Sequence, residues 1–330
     1  LTITEIFEKF QTVKVAILGD IMLDTYCWGN VERISPEAPV PIVAVNKEEY
    51  RIGGAGNVAL NLRALGAEAF IFSVVGEDIE AERLMQLMDE KEIHTENILR
   101  ITRRPTTNKT RVMARNQQIM RLDSESCEDI ATEQEALLLK KLSDFIVREK
   151  PQLLILEDYN KGVLTETLIA SALKIAKEND VIITVDPKKK NFFSYKNADI
   201  FKPNLKEVAE ALHIHVDLIN KANLSKVHQS LHERLEHRFS LITLSEKGIF
   251  FQETNNTPTI LPAKIRNIAD VSGAGDTVIA VLSLVYIITK NILIAAEMAN
   301  IAGGLVCEQV GTAAIDKELL FAECTSLLKI

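Results

Sequence analysis

The chain has 330 residues, a formal net charge of -8, and 47% hydrophobic against 25% charged residues. That is a globular composition with ample core material. A net negative charge without a concentrated basic patch argues against a nucleic-acid surface. Aromatics at 5%, with Trp28 the single tryptophan, leave little for base stacking or aromatic sugar platforms. The most apolar run, Val278 to Ile288, is shorter than the roughly 18–20 residues of a membrane span, so no membrane association is expected.

Residues 1–12 alternate apolar and charged positions and read as a docking helix, not a signal peptide. Cys27, Cys127, Cys307 and Cys324 are scattered without C-x-x-C spacing. They read as free thiols in a reducing compartment, which makes a cytoplasmic location the expectation. Residues 13–18 predict a buried strand ending at Gly19-Asp20, and residues 40–46 an edge strand flanked by prolines. Gly53 to Gly56 reads as a glycine turn before a helix over 57–65, with Gly66 as its C-cap. A strand over 69–75 and a polar helix over about 78–91 follow. Residues 101–122 alternate without a helix signal and read as a hairpin or two exposed strands. Helix 132–148, strand 153–157, helix 165–178, strand 181–185 and strand 198–201 come next. Helices over 205–212 and about 217–236 precede strand 240–244 and a hairpin over about 249–264. Three helices close the chain, near 275, over 292–309 and over 316–328.

This alternation predicts an α/β fold: a mainly parallel sheet with helices on both faces. Segments 22–50 and 101–123 are strand-like but poorly buried by pattern, and are expected to form a small β-sheet lid on a single domain spanning 1–330. In such sheets ligands bind beyond the strand C-termini. Asp20, Asp158, Asp186, Asn204 and Ser245 all fall there.

The strongest local signal is Asp270-Val271-Ser272-Gly273-Ala274-Gly275-Asp276-Thr277. Glycines at a helix N-terminus let free N–H groups approach a phosphate. Asp276 in the first turn is placed to take a proton from an attacking hydroxyl. The helix dipole is expected to lower its pKa and make it a weak base, which phosphoryl transfer tolerates. The alternative is an ordinary first-turn acid, and there is no Walker A lysine. Asn204 and Glu207 share one side of a helical first turn. They suit either a hydrated Mg²⁺ or a capping box. Gly53-Gly54-Ala55-Gly56-Asn57 offers bare backbone and an amide to sugar hydroxyls, or simply a tight turn. His228 and His232 read as a polar helix surface, with no metal motif completed by His237.

Asp-x-x-Gly-Ala-Gly-Asp at 270–276, Gly-Gly-Ala-x-Asn at 53–57 and Asn-x-x-Glu at 204–207, in this order, resemble the PfkB, or ribokinase-like, sugar kinase family over nearly the whole chain. The resemblance implies a three-layer sandwich with a β-sheet lid often used for dimerisation. It implies Asp276 as catalytic base and the N–H groups of Gly273, Ala274 and Gly275 as an anion hole. MgATP is expected over Asn204, Glu207, Ser245 and Gly248, with Mg²⁺ held through water by Asn204 and Glu207. A monovalent cation near Asp270 is a further expectation. The sugar is expected against Asp20, Gly53, Gly54, Asn57 and Lys161.

Residues 19–24, 31–41 and 110–118 resemble more narrowly the heptose-7-phosphate kinases of that family. The likeness implies transfer to the anomeric 1-hydroxyl of D-glycero-D-manno-heptose 7-phosphate, within ADP-heptose and lipopolysaccharide synthesis. Lys109, Arg111, Met113 and Arg115 share one strand face, and Arg111 and Arg115 are candidates to grip the sugar phosphate. Asn160 stands where the family has glycine, a residue tolerant of left-handed backbone. No His-x-Gly-His motif occurs, so no nucleotidyltransferase domain is expected. Other expectations remain open: a kinase of another sugar, sugar phosphate or nucleoside, and a non-catalytic sugar-binding regulator.

Overall fold

The computed structural model describes residues 1–114, 117–214, 219–254, 256–264 and 266–329. Helix α1 (Ile3–Lys9) starts at a capping box in which Thr2 and Glu5 satisfy each other's backbone N–H. Its Ile3, Ile6 and Phe7 are buried in the core, as expected of a docking helix. Strand β1 (Lys14–Gly19) shows the two-residue period of a central strand. Val15 and Ile17 join one apolar cluster, while Ala16 and Leu18 join the other.

From the C-terminal end of β1 the chain leaves the core through β2 (Ile21–Ile34) and returns through β3 (Pro41–Gly54) into α2 (Ala55–Leu65). The expected glycine turn therefore resolves differently: Gly53 and Gly54 end a strand, and the helix begins at Ala55. Gly66 caps α2 with φ 105°. Strand β4 (Glu68–Val75) and helix α3 (Ile79–Asp89), capped by Asp78, follow. Strand β5 (His94–Arg100) escaped the sequence reading because its polar, half-exposed pattern is that of a sheet edge.

Strands β6 (Asn108–Ala114) and β7 (Gln117–Ser124) complete a four-stranded sheet ordered β3-β2-β6-β7. β2 pairs antiparallel with β3 and parallel with β6. The root of β2 is buried and its far end exposed, so this second sheet stands off the core as a lid.

The remaining elements alternate: α4 (Thr132–Glu149), β8 (Leu153–Glu157), α5 (Glu166–Glu178), β9 (Ile182–Asp186), β10 (Ile200–Phe201), α6 (Leu205–Leu212), α7 (Lys221–Leu235) and β11 (Phe239–Thr243). A hairpin, β12 (Ile249–Glu253) and β13 (Thr259–Leu261), then leads to α8 (Ala274–Thr289), α9 (Ile292–Val306) and α10 (Lys317–Leu327). The main sheet runs β13-β12-β11-β10-β9-β8-β1-β4-β5, parallel from β11 to β5. Only the terminal hairpin is antiparallel.

One face of the sheet packs on α1, α2, α3, α8, α9 and α10, the other on α4 to α7. Helix α8 is buried without a break from Asp276 to Tyr286, which explains its nearly continuous apolar sequence.

His228, expected on a polar helix surface, is buried, and His232 is half-buried. His228 and His237, which is also buried, both bond Ser240 Oγ, at 2.8 and 2.6 Å. Burial drives their pKa values down to about 4 and about 3. No helix among the described residues is long and apolar enough to cross a membrane, and the four cysteines are free. Leu282 on α8 is fully buried between sheet and helices. Leu282→Ala should cost about 2–5 kcal/mol, read as a fall in the denaturant midpoint with an unchanged slope.

Candidate active site

The five polar residues expected at one edge of the sheet do gather there, but their roles divide. Asp20 follows β1 and is buried. Its Oδ2 accepts the N–H groups of Tyr159 (2.8 Å) and Lys161 (3.0 Å), and its Oδ1 that of Val163 (3.1 Å). Asp20, expected against the sugar, thus spends both oxygens shaping the loop after β8. Asp158 works in the same loop, taking the N–H of Asn160 at 2.7 Å and the hydroxyl of Tyr195 at 2.8 Å. Burial, then the neighbouring Asp20 charge, pushes Asp158 up to about 6. Asn160 sits at φ 55°, the left-handed geometry expected of it. The loop so built delivers Tyr159.

Tyr159 reaches the tip of α8. Gly273 (φ 77°) turns the chain into the helix, and Ala274, Gly275 and Asp276 form its first turn. Tyr159 OH donates to Asp276 Oδ1 at 2.6 Å, and Asn57 Nδ2 to Oδ2 at 2.8 Å. A Cβ at Gly273 would lie 2.6 Å from Asn57 Nδ2, so glycine is required there for space as well as for φ. Asn57 is oriented in turn by Asn61, whose Nδ2 donates to the Asn57 carbonyl at 2.8 Å. Asn61 Oδ1 accepts Thr277 Oγ1 at 3.1 Å and the N–H of Ile315 at 3.0 Å.

The expected depression of the Asp276 pKa is reversed. Burial raises it to about 6, the Tyr159 and Asn57 hydrogen bonds pull against that rise, and Asp186 adds to it. The helix dipole is outweighed because the carboxylate is 2% exposed.

A row of charges runs behind Asp276. Oxygens of Glu157, Asp186 and Asp276 lie within 4.8 Å of one another. Glu157 is fully buried, neither of its oxygens has a partner, and burial with the Asp186 and Asp276 charges holds its pKa well above the usual range. Lys202 Nζ meets Asp186 Oδ2 at 2.6 Å with its side chain 3% exposed. Lys188 Nζ lies 3.4 Å from Asp186 Oδ1 and 2.8 Å from Glu207 Oε1, over the Tyr159 ring at 5.3 Å. Burial works against that ammonium, but Asp186 and Glu207 outweigh it and raise its pKa.

Asn204 and Glu207 form the capping box of α6, with both bonds at 2.8 Å. With Glu207 Oε1 on Lys188, a hydrated metal at Asn204 and Glu207 has to compete with contacts already made. Ser245 is exposed with φ 56° in the turn after β11. Gly248 is buried at φ 94° against the carbonyl of Leu261, where the hairpin leaves no room for a side chain.

Above the tip, Gly53 closes the gap to the lid. A Cβ there would lie 2.6 Å from Asp24 Oδ2. Asp24 is buried and pairs with Arg111 Nη1 at 2.5 Å, and the Arg111 guanidinium lies over the Tyr26 ring at 5.2 Å. Arg111 therefore reaches the lid underside already paired. Arg115 lies outside the described residues. Lys161 Nζ meets Glu125 at 2.7 Å.

Sequence reasoning missed Tyr159, Glu157, Lys202 and Asp24 as members of the site. Asp24 carried a weak signal, a carboxylate on β2 four residues after Asp20. Lys202 directly precedes Pro203-Asn204 and was passed over. Burial of Glu157 is a tertiary fact without a local signature.

Residues 12–318 match the model of the "pfkB family carbohydrate kinase". The chain belongs to that family. It is 42% identical over 305 residues to the bifunctional protein HldE of Helicobacter pylori strain HPAG1, covering 91% of this chain and 64% of that one. It is 40% identical over 315 residues to the bifunctional protein HldE of Aliarcobacter butzleri strain RM4018, covering 96% and 65%. The chain thus spans a little under two thirds of the length of these curated relatives. Among solved structures, it superposes on Escherichia coli phosphofructokinase-2 in complex with substrates and products with TM-score 0.77 at 15% identity, covering 94% of this chain and 99% of that one. Arabidopsis thaliana ribokinase complexed with ribose and ATP gives TM-score 0.73 at 15% identity, covering 94% and 98%. These two likenesses establish a ribokinase-like fold.

Tyr159→Phe removes a hydrogen bond that lowers the Asp276 pKa. The Asp276 pKa, raised to about 6 by burial, should therefore rise further in the variant, and an acid limb of kcat/KM set by Asp276 should move to higher pH. A pH–rate profile of both proteins measures the shift.

Proposed function

We propose that this chain transfers the terminal phosphoryl group of ATP to the anomeric 1-hydroxyl of D-glycero-D-manno-heptose 7-phosphate, giving the 1,7-bisphosphate used in ADP-heptose synthesis. The observation that carries the reading is Asp276: a buried carboxylate in the first turn of α8, held on both oxygens by Tyr159 and Asn57. A base with a pKa near 6 is ionised at neutral pH yet more basic than an ordinary aspartate, which suits proton removal from an alcohol. The glycine tip of α8 offers N–H groups and a positive dipole end to the transferred group, and positioning supplies most of the rest. The HldE relatives and the likeness of residues 19–24, 31–41 and 110–118 to heptose-7-phosphate kinases support this sugar.

Lys188 and Lys202 add positive charge beside the phosphates. The donor set fits Mg²⁺: hard carboxylate oxygens, among them two buried and unpartnered on Glu157. Glu157 and Asp186, with Glu207 through water, would hold the ion, which neutralises phosphate charge when bound. Ser245 and Gly248 sit on the nucleotide side, while Asn57, Gly53, Gly54 and Asp24 form the sugar side, with Asp20 acting through the loop it shapes. A monovalent cation near Asp270 follows from the family, and a cytoplasmic location from the four free cysteines. Homodimerisation through the lid fits the exposed Ile119, Met120 and Leu122 on β7.

ADP release should be strongest with D-glycero-D-manno-heptose 7-phosphate and weaker with unphosphorylated heptose, fructose 6-phosphate and ribose. A different preferred sugar refutes the substrate. Asp276→Asn should lower kcat by roughly 10²–10⁴-fold while ATP still binds. Near-normal turnover refutes the base.

A further inference from the structure

Away from the reactive carboxylate, two ammonium groups converge on one acid. Lys109 reaches down from β6 of the lid and Lys161 across from the loop after β8, and their Nζ atoms lie 3.1 and 2.7 Å from Glu125. Both lysine side chains are 13% exposed. Lys109 pairs in register with Asp24, so it shares the lid underside with Asp24 and Arg111. Arg104 stands close by, bonding the carbonyls of Lys161 and, at 3.0 Å, Glu128.

The two sides of this cluster are built differently. Lys109 sits on a paired strand, and the backbone N–H of Lys161 is held by buried Asp20 at 3.0 Å. Glu125 is the first residue after β7, in an irregular stretch that runs to Ala131. Both cations are anchored through ordered backbone, whereas Glu125 lies outside regular secondary structure. Lys109 has a second, longer contact to Asp123 at 3.4 Å, while Lys161 has Glu125 as its carboxylate partner among the described residues, so the shorter contacts of both lysines share one acid. A phosphate monoester carries nearly two charges and three acceptor oxygens at pH 7. It can satisfy both ammonium groups better than one carboxylate can.

We propose that Lys109 and Lys161 form the seat for the phosphate already carried by the sugar, and that Glu125 occupies this seat until such a substrate displaces it. This rests on the kinase reading above and adds a selection step. A free sugar brings no anion, so it leaves Glu125 latched between lid and core. A phosphorylated sugar replaces the latch with a stronger bridge across the same gap. Phosphorylated and free sugars are thereby told apart by competition with an internal acid.

The test compares the full chain with Glu125→Gln and with Lys109→Met combined with Lys161→Met, using heptose 7-phosphate and free heptose as the pair. Melting temperatures check folding, and inhibition by inorganic phosphate gives a reading independent of turnover. Glu125→Gln should lower both the KM for the phosphate ester and the inhibition constant of inorganic phosphate. The double lysine variant should reduce the preference for ester over free sugar by about tenfold or more, the scale of a lost hydrogen bond between charged groups. If Glu125→Gln raises the ester KM, or the preference is unchanged in the lysine variant, the proposal is overturned. If the double variant does not fold, the Glu125→Gln result decides alone. Should another sugar phosphate prove the substrate, the heptose reading fails by itself. The same comparison with that ester and its free sugar then decides the phosphate seat.

Discussion

The site depends on a carboxylate kept in a place where water would not keep it. Asp276 is nearly inaccessible, and its charged form survives near neutrality because a phenol and an amide each donate to one of its oxygens. Those donors arrive from distant parts of the chain, Asn57 from the helix that follows the lid and Tyr159 from the loop beyond the central strands. A third segment supplies the helix tip itself. Three stretches must fold together before the carboxylate has its working environment. Burial without the donors would leave a neutral acid, and the donors without burial an ordinary weak base.

The surrounding acids and lysines extend this balance. Asp186 lies between Lys202 and Lys188, and Lys188 in turn holds Glu207 at the start of α6. The start of α6 is therefore joined to Asp186, beside the tip of α8, by a chain of opposite charges rather than by a single contact. Glu157 carries the residual cost: it is buried beside two other acids without a hydrogen bond of its own. Its neutral form is favoured until positive charge arrives.

Much of this was legible in the sequence. Buried strands announced themselves as short apolar runs, and Asn204 with Glu207 marked a helix start through its capping spacing. The tip of α8 was legible because glycines at 273 and 275 stand at the head of an apolar helix with an acid between them and the core. What stayed hidden was tertiary. β5 is an edge strand whose polar pattern imitates a loop. The direction of the Asp276 shift depended on burial, which a first-turn position does not reveal. Asp20 looked like a ligand for sugar because carboxylates at strand ends often are. Its three backbone partners lie some 140 residues away in sequence. Asn204 and Glu207 showed how one spacing serves two chemistries, since the capping bonds that define the helix start occupy atoms a metal would want.

The lid's plan of attachment has its own consequence. Its two longest strands are clamped where they meet the core, with Ile21 opposite Gly54, yet their far ends at 34 and 41 are joined by an exposed bend. Lengthening a bend of that kind adds little to its closure entropy. An insertion at this bend, such as a grafted reporter, should accordingly leave the spacing of the strand roots over the glycine helix the same.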